Sequence, residues 1–316
     1  MTGAEDFRAV IFIRWVEWMI ENYIGIDAGG TKTIVVLVDA DLRVRAKGSY
    51  EGMNLAQMNP NTVSGRLKQI IEEMTYRAGM LPYHVGLTVL AGAGGGDSKM
   101  REEIEYACWA RMPERKVKVI TDAEAALAGA FKGGAGIVLI AGTGSIAWGK
   151  DNEGRMARAG GYGYILGDEG SGFWMGREVL RRCLDAYHRG EMTALGKKVC
   201  EFWQIEDISK AISIIYSSDK PGAKAGELAP LVFEAYEAGD AAAQDILREA
   251  GRHLAELAVK VRGRLSFVPP VKVCLSGGVA GQQAVMQVLI GAELGKEYEL
   301  VPAAYEAAVG AVAAVM

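Results

Sequence analysis

Residues 23–38 read YIGIDAGGTKTIVVLV: an apolar run, a turn with two glycines, and a second apolar run. This pattern is typical of a β-hairpin whose tip carries bare backbone N–H groups. The tip also carries the carboxylate of Asp27 and the hydroxyl of Thr31. Such groups can surround phosphates, and a carboxylate can hold a metal ion beside them. The hairpin therefore predicts a phosphate loop, although the need for a tight turn explains two glycines equally well.

Two further glycine turns follow apolar runs later in the chain. Residues 141–145 read AGTGS after the apolar residues 137–140, and residues 276–278 read SGG after the apolar residues 271–275. Three such turns spread over the chain favour a shared function over three unrelated loops. The strand–glycine turn–strand units at 23–38 and 137–148 also indicate a duplicated architecture. Strands alternate with helical patterns along the chain, which predicts an α/β fold.

The composition sets limits on the class of protein. The chain has 316 residues, of which 50% are hydrophobic and 23% charged, enough for two domains with substantial cores. The 35 basic and 39 acidic residues give a net charge of −4. Neither nucleic acid nor an anionic membrane is therefore expected as the main partner. The four cysteines lie far apart, which argues against a zinc site or disulfide scaffold and fits a cytoplasmic location.

The expected domain organisation has three parts. Residues 1–18 form an N-terminal extension, because the apolar stretch at 9–20 is interrupted by Arg14 and Glu17 and fits neither a signal peptide nor a membrane span. Residues 19–121 form a first domain with the first phosphate loop. Residues 122–316 form a second domain, whose last segment, 303–316, can pack back on the first.

Asp122 is the best candidate for acid–base chemistry. It follows the buried strand at 117–120 and opens an alanine-rich helix, so its carboxylate is expected at the edge of a sheet. A plain helix N-cap is the simpler interpretation of an aspartate at this place. Phosphoryl transfer to an alcohol, however, needs one carboxylate to accept the hydroxyl proton. Both interpretations remain open from the residues alone.

Residues 92–97 read GAGGGD between a strand and a helix, which invites comparison with a dinucleotide-binding loop. The third glycine of that motif would fall on Asp97, and no acidic residue ends a second strand about 20 residues later. We therefore expect a flexible strand-to-helix turn at this place.

Residues 160–164 read GGYGY, and residues 167–171 read GDEGS. Aromatic faces beside carboxylates are a common way of binding sugars, because rings pack on C–H faces and carboxylates accept hydrogen bonds from hydroxyls. A glycine-rich loop with ordinary core tyrosines is the alternative.

Taken in order, the segments 27–33, 121–126, 141–145, 160–171 and 276–278 resemble the BadF/BadG/BcrA/BcrD ATPase family. Within that family the resemblance is strongest to N-acetylglucosamine kinases and archaeal broad-specificity hexokinases. It implies a two-domain, actin-like ATPase fold in which each domain has a mixed five-stranded sheet. It also implies ATP and Mg²⁺ as cofactors, a small sugar as substrate, and a homodimer.

The resemblance assigns roles to single residues. Asp122 matches the general base, and Asp27 stands at the expected metal position. The ATP-binding positions are Gly29, Gly30, Thr31, Lys32, Gly142, Thr143, Gly144, Gly277 and Gly278. The sugar-binding positions are Asn54, Asp122, Ser145, Gly161, Tyr162, Gly163 and Asp168. Several N-acetylglucosamine kinases have Trp where this chain has Tyr162, which leaves the preference for an N-acetyl group open.

Phosphorylation of the 6-hydroxyl of a hexose or hexosamine is thus the leading expectation, with N-acetylglucosamine, glucosamine and glucose as candidates. The alternative within the family is an ATP-hydrolysing activator of a 2-hydroxyacyl-CoA dehydratase or benzoyl-CoA reductase. Those activators hold an iron–sulfur cluster through cysteines, which are not clustered in this sequence. A non-catalytic sugar sensor would be expected to lack the base, and Asp122 is present.

Overall fold

The computed structural model describes residues 22–30, 32–92, 94–281 and 283–316. The expected extension 1–18 and Thr31 lie outside the described residues. The chain divides into two compact units. Unit 1 comprises the chain up to Gly134 together with Ala303–Met316, and unit 2 comprises Ala135–Pro302. The division leaves the helix that starts at Asp122 in unit 1, whereas the sequence-based boundary was drawn immediately before that residue.

Unit 1 contains a mixed five-stranded sheet with the order β3-β2-β1-β4-β5. The first three strands are antiparallel neighbours, and β4 and β5 run parallel to β1. The strands are β1 (Asn22–Ala28), β2 (Lys32–Asp39), β3 (Val44–Glu51), β4 (Val85–Gly92) and β5 (Val117–Ile120).

Helices cover both faces of this sheet. Helices α1 (Pro60–Arg77) and α2 (Ser98–Arg111) bury one face in a core that includes Ile26 and Leu67. Helix α3 (Asp122–Phe131) and the C-terminal helix (Ala307–Ala313) pack on the other face. This arrangement follows from the strands β1 and β2, whose apolar residues point to both faces because both are covered.

Unit 2 repeats the same strand arrangement. Its sheet has the order β10-β9-β6-β7-β8, again with an antiparallel meander followed by two parallel strands. The strands are β6 (Gly136–Ala141), β7 (Ser145–Lys150), β8 (Met156–Gly160), β9 (Val271–Ser276) and β10 (Tyr298–Leu300). The duplicated architecture expected from the two glycine hairpins is therefore confirmed at the level of topology.

Unit 2 differs from unit 1 in a helical segment between β8 and β9. The helices of this unit are α4 (Gly172–His188), α5 (Ala194–Trp203), α6 (Ala211–Tyr216), α7 (Pro221–Gly226), α8 (Ala229–Glu237), α9 (Ala241–Arg262), α10 (Gly277–Ala280) and α11 (Ala284–Leu294). They share one core with the sheet through residues such as Leu139, Val179 and Leu254. Among the described residues, the search for a helix long and apolar enough to cross a bilayer finds none.

Candidate active site

The first glycine turn lies between β1 and β2, as predicted. The Gly29 N–H donates to the Lys32 carbonyl at 3.0 Å, and a Cβ on Gly29 would lie 2.7 Å from that oxygen. A Cβ on Gly30 would meet nothing within 4 Å, so the outer side of the turn is open. Lys32 is exposed. The turn thus combines a tight inner side with an accessible outer backbone, as a phosphate loop requires.

Asn54 lies beside this turn because its neighbour Met53 is hydrogen-bonded to it. The Met53 N–H donates to the Gly29 carbonyl at 2.9 Å. The Asn54 side-chain oxygen accepts from the Ala56 N–H at 3.1 Å, which fixes the chain direction after β3. A backbone hydrogen bond therefore holds the segment with the asparagine assigned to sugar binding against the first glycine turn.

Asp27 and Asp122 lie at the same edge of the unit 1 sheet. Asp27 pairs with Ala91 of β4, and Ala91 pairs with Ile120 at the end of β5. Two strand spacings separate β1 from β5, which is about 10 Å. Asp122 follows Ile120 by two residues. The topology therefore brings together the carboxylates assigned to the metal and to the base.

The pKa of the Asp27 carboxyl reflects its burial and its closeness to Asp122. Burial raises the pKa of the Asp27 carboxyl, and the negative charges of Asp122 and Glu306 raise it further, in that order. Glu306 precedes the C-terminal helix and also forms an ion pair with Lys47 at 2.6 Å. Asp27 thus lies in a field of negative charge from Asp122 and Glu306, which a divalent cation bound at Asp27 would relieve.

The helix after β5 is capped by Thr121, so the N-cap interpretation of Asp122 is wrong. The Thr121 hydroxyl accepts from the Glu124 N–H at 3.0 Å, and the Glu124 carboxylate accepts from the Thr121 N–H at 2.8 Å. This reciprocal capping box satisfies the helix start without Asp122. Within the described part of the chain, the Asp122 carboxylate accepts a hydrogen bond only from the Ala123 N–H, at 2.9 Å, so it is otherwise available for chemistry.

The glycine-rich turn after β4 has a packing role instead of a dinucleotide-binding one. Asp97 is the N-cap of α2, where it accepts from the Lys99 N–H at 2.9 Å. A Cβ on Gly95 would lie 2.2 Å from the Ile120 carbonyl. The turn is therefore glycine-rich because it passes directly over the end of β5.

In unit 2, the second glycine turn is attached to the start of α4. The Gly142 N–H donates to the Gly144 carbonyl at 3.0 Å, which closes the turn. The Gly172 N–H donates to the Gly142 carbonyl at 2.7 Å, and the Phe173 N–H donates to the Thr143 carbonyl at 3.1 Å. Ser171 caps α4, because its hydroxyl accepts from the Trp174 N–H at 3.3 Å.

A cavity of about 470 Å³ opens beside this turn. It brings together Gly142, Thr143 and Gly278, which the sequence assigned to ATP, whereas Gly144 and Gly277 do not line it. The other lining residues are Gly172, Gly226, Ala229, Pro230, Phe233, Val279 and Gln283. Four of these residues, Gly226, Ala229, Pro230 and Phe233, lie in α7 and α8, which carry no motif and are far along the chain from the glycine turns, so the sequence did not predict them.

Asp168 holds the end of the second glycine turn. Its carboxylate accepts from the Ser145 N–H at 3.1 Å, and the Ser145 hydroxyl donates to the Glu169 carbonyl at 2.9 Å. The backbone φ of Asp168 is +66°, in the left-handed region that non-glycine residues rarely adopt. Ser145 and Asp168, both predicted to contact the sugar, are thus hydrogen-bonded to each other. The glycine turn predicted to hold phosphate ends at Ser145.

Tyr162 lies on the exposed loop that follows β8. The Gly161 N–H donates to the Ser145 carbonyl at 2.9 Å, which attaches this loop to the same serine. Gly161 and Gly163 both have positive φ, and Tyr162 between them is 58% exposed. The alternative of an ordinary core tyrosine is therefore wrong for Tyr162, whose ring is accessible to a ligand.

Comparison with known proteins finds similar sequences among sugar kinases. The N-acetylmuramic acid/N-acetylglucosamine kinase of Clostridium acetobutylicum is 33% identical over 259 residues, covering 81% of this chain and 84% of that protein. The N-acetyl-D-glucosamine kinase of Dictyostelium discoideum is 29% identical over 293 residues, covering 88% and 91%.

A crystal structure from Chromobacterium violaceum, provisionally described as an N-acetylglucosamine kinase, matches with a TM-score of 0.74 at 26% identity. The match covers 94% of this chain and all of the other. The family model for the BadF/BadG/BcrA/BcrD ATPases matches residues 24–314, nearly the whole chain. This chain therefore belongs to the BadF/BadG/BcrA/BcrD ATPase family.

Proposed function

We propose that this protein is an ATP-dependent sugar kinase that phosphorylates the 6-hydroxyl of an amino hexose such as N-acetylglucosamine. The observation that carries the proposal is the state of Asp122. Thr121 and Glu124 cap the helix, so the helix start does not need the Asp122 carboxylate, which lies at the sheet edge. The amino-sugar kinases among the relatives support the same activity.

The residues of unit 2 fit a nucleotide. The cavity beside Gly142 and Thr143 has apolar walls from Ala229, Pro230 and Phe233, which suit a base and ribose. Glycines with bare N–H groups lie at one side of it, where phosphates would be held. We assign adenosine to the apolar wall and the phosphates to the glycine turn.

The residues at the unit 1 sheet edge fit a divalent cation. Asp27 is the assigned ligand, and the raised pKa of its carboxyl reflects burial and nearby negative charge. Mg²⁺, when bound with ATP, would neutralise phosphate charge during transfer. Asp27 supplies the carboxylate oxygen for this ion, directly or through water.

The proposed reaction assigns one role to each group. Asp122 accepts the proton of the sugar 6-hydroxyl, whose oxygen then attacks the γ-phosphorus and displaces ADP. Asn54, Ser145 and Asp168 would orient the sugar through hydrogen bonds, and Tyr162 would pack on its C–H face. The glycine turns at residues 29–32 and 142–144 would hold the phosphates, and Gly278, which lines the cavity, would contact the adenosine.

The cysteines favour the kinase over the iron–sulfur activator. All four are buried free thiols. Burial raises the pKa of each thiol, to about 11 for Cys108, so the thiolates that an iron–sulfur cluster needs are disfavoured.

A homodimer is also part of the proposal, and light scattering of the purified protein tests it.

The test is steady-state ADP release with Mg²⁺ and a panel of glucose, glucosamine, N-acetylglucosamine and mannose. We expect sugar-dependent turnover that falls at least about a thousand-fold in Asp122→Asn, because the base is lost while the shape is kept. The exposed Asp41→Asn variant should keep full activity. ADP release that is independent of sugar would overturn the proposal in favour of an activator.

A further inference from the structure

Arg158 lies in β8 directly opposite Trp148 of β7. Its guanidinium carbon is 5.9 Å from the centre of the Trp148 ring and 5.8 Å from that of Tyr162. Both distances are within the range of cation–π contacts. The guanidinium therefore lies within cation–π distance of both rings, one of which is the exposed aromatic assigned to sugar binding.

This guanidinium has no anionic partner. Among the residues described by the structure, no carboxylate forms an ion pair with Arg158. The nearest carboxylates along the chain are engaged elsewhere: Asp151 and Glu153 pair with Arg155 at 2.8 and 3.2 Å. Asp168 is bonded to the Ser145 N–H. The Arg158 side chain is exposed, so its charge faces solvent beside Tyr162.

Stacking leaves the hydrogen-bonding edge of an arginine free. The flat face of a guanidinium can lie against an aromatic ring while its N–H donors, which lie in the plane, stay available for hydrogen bonds. This edge matches a carboxylate, which it can bind through two parallel hydrogen bonds. The backbone is also fixed, because the Arg264 guanidinium donates to the Arg158 carbonyl at 3.1 Å. Arg158 is thus a preorganised anion-binding group beside the assigned sugar position.

We propose that Arg158 recognises a carboxylate on the sugar, so that the substrates include amino sugars with a carboxylate-bearing ring substituent. The inference rests on the proposed function, because it takes Tyr162 as part of the sugar site. A neutral amino sugar needs no such cation, whereas an acidic one must pair its charge when it leaves water. Arg158 would then determine specificity and take no part in the chemical step.

The test compares N-acetylglucosamine, its 3-O-(1-carboxyethyl) ether, and the methyl ester of that ether. The ester keeps the size of the substituent but removes its charge. Each sugar is measured by kcat/KM and by calorimetric binding with wild type, Arg158→Met, Arg158→Lys and Arg189→Met. Arg189 is an exposed arginine that forms an ion pair with Glu191, so its variant is the matched control.

We expect Arg158→Met to lower kcat/KM and affinity for the acidic ether about ten- to a hundred-fold, mainly through KM. Values for N-acetylglucosamine and the ester should change less than about three-fold. Arg158→Lys should fall between, since a lysine keeps the charge without the bidentate geometry. Arg189→Met should match wild type.

Two results would overturn this inference. One is an equal loss for all three sugars in Arg158→Met, which would make Arg158 a positioning residue for Tyr162. The other is wild-type protein that neither binds nor phosphorylates the acidic ether while it phosphorylates N-acetylglucosamine. If no sugar is phosphorylated, the proposed function fails. Calorimetry still decides the Arg158 inference, because selective wild-type binding of the acidic ether over the ester supports it and equal or absent binding overturns it.

Discussion

Asp168 links the residues assigned to the sugar with the turn assigned to phosphate. One carboxylate oxygen accepts from the Ser145 N–H at 3.1 Å. Gly144 has no room for a side chain, since a Cβ would lie 2.8 Å from the Asp168 carboxylate. The left-handed backbone of Asp168, with φ of +66°, aims the carboxylate at this turn. The unusual backbone conformation of Asp168 thus occurs where its carboxylate contacts both Gly144 and Ser145.

We therefore expect Asp168→Ala to lose about 1–2 kcal/mol of unfolding free energy, because it removes the acceptor and places alanine in the left-handed region. Asp168→Asn keeps an acceptor and tolerates that region, so it should lose less than about 1 kcal/mol. Chemical denaturation measures both. Gln204→Ala is the control for backbone strain alone, because Gln204 also has positive φ and caps α5 away from the turn. Similar losses in all three variants would contradict this role of Asp168.

The repulsion around Asp27 gives a prediction about pH. The pKa of Asp27 is raised by burial and by Asp122 and Glu306, so the folded state holds the proton more tightly than the unfolded state. Stability from this group is therefore full below the ordinary value of 3.8 and is lost as pH rises through the folded pKa. At neutral pH the ionised carboxylate destabilises the ligand-free protein.

Asp27→Asn should accordingly raise the Tm of the ligand-free protein by about 1–3 °C at pH 7.5, and this gain should shrink toward pH 4. Magnesium-dependent turnover should fall about a hundred-fold or more, because the metal ligand is lost. Calorimetric scans across pH measure the first effect, with exposed Asp41→Asn as control. A lower Tm for Asp27→Asn at neutral pH would contradict the repulsion.

At the scale of elements, two adjacent glycines after β9 have different roles. Gly277 has φ of +87°, and a Cβ there would lie 2.3 Å from the Ala141 carbonyl. A Cβ on Gly278 would meet nothing within 4 Å, and Gly278 lines the cavity. Position 277 needs glycine because its backbone passes too close to the end of β6 for a side chain. The glycine at position 278 leaves the cavity open.

Gly277→Ala should therefore cost about 2 kcal/mol or more of stability. Gly278→Ala should leave Tm within about 2 °C of wild type but raise the KM for ATP several-fold, with the KM for sugar unchanged. Thermal scans and initial rates separate the two variants. Equal stability losses, or an unchanged KM for ATP in Gly278→Ala, would contradict the assignment.

The position of Asp122 depends on the contact between α3 and the C-terminal helix. A Cβ on Gly310 would lie 2.1 Å from the Ala125 carbonyl and 2.6 Å from the Gly129 nitrogen. Gly310→Ala should push the helices apart, which should lower the free energy of unfolding by about 1–3 kcal/mol and reduce kcat.

Gly65→Ala in α1 is the matched control, because its Cβ would meet only the Arg111 side chain at 3.9 Å among the described residues. That change should be neutral or slightly stabilising. A neutral Gly310→Ala would show that the contact does not position Asp122.

The sequence predicted the elements that carry strong periodicity or glycine turns. The strand predicted at 117–120 has the observed bounds, and the glycine turns predicted at 141–145 and 276–278 follow β6 and β9. Elements without such signals were missed. In β8 the core-facing residues are only Ala157 and Ala159, and α11 is apolar around most of its circumference, so neither shows a clear period.

At the scale of the whole molecule, the chain uses one strand arrangement twice for different purposes. Both units place a glycine turn between their first two strands. Unit 1 adds carboxylates at its sheet edge, and unit 2 adds a cavity between the glycine turns and helices α7 and α8. Motifs in the sequence located the turns and the carboxylates. The cavity walls depend on contacts between segments distant in sequence, which no local pattern records.

We expect one product, a sugar 6-phosphate formed in equal amount with ADP. The most direct test is ³¹P and ¹H NMR of the reaction of the wild-type protein with N-acetylglucosamine, ATP and Mg²⁺. We expect a phosphomonoester signal coupled to the C6 protons, and no such signal with Asp122→Asn. Release of inorganic phosphate without a sugar phosphate would contradict the kinase assignment, and a phosphomonoester coupled to another ring position would contradict the assigned 6-hydroxyl.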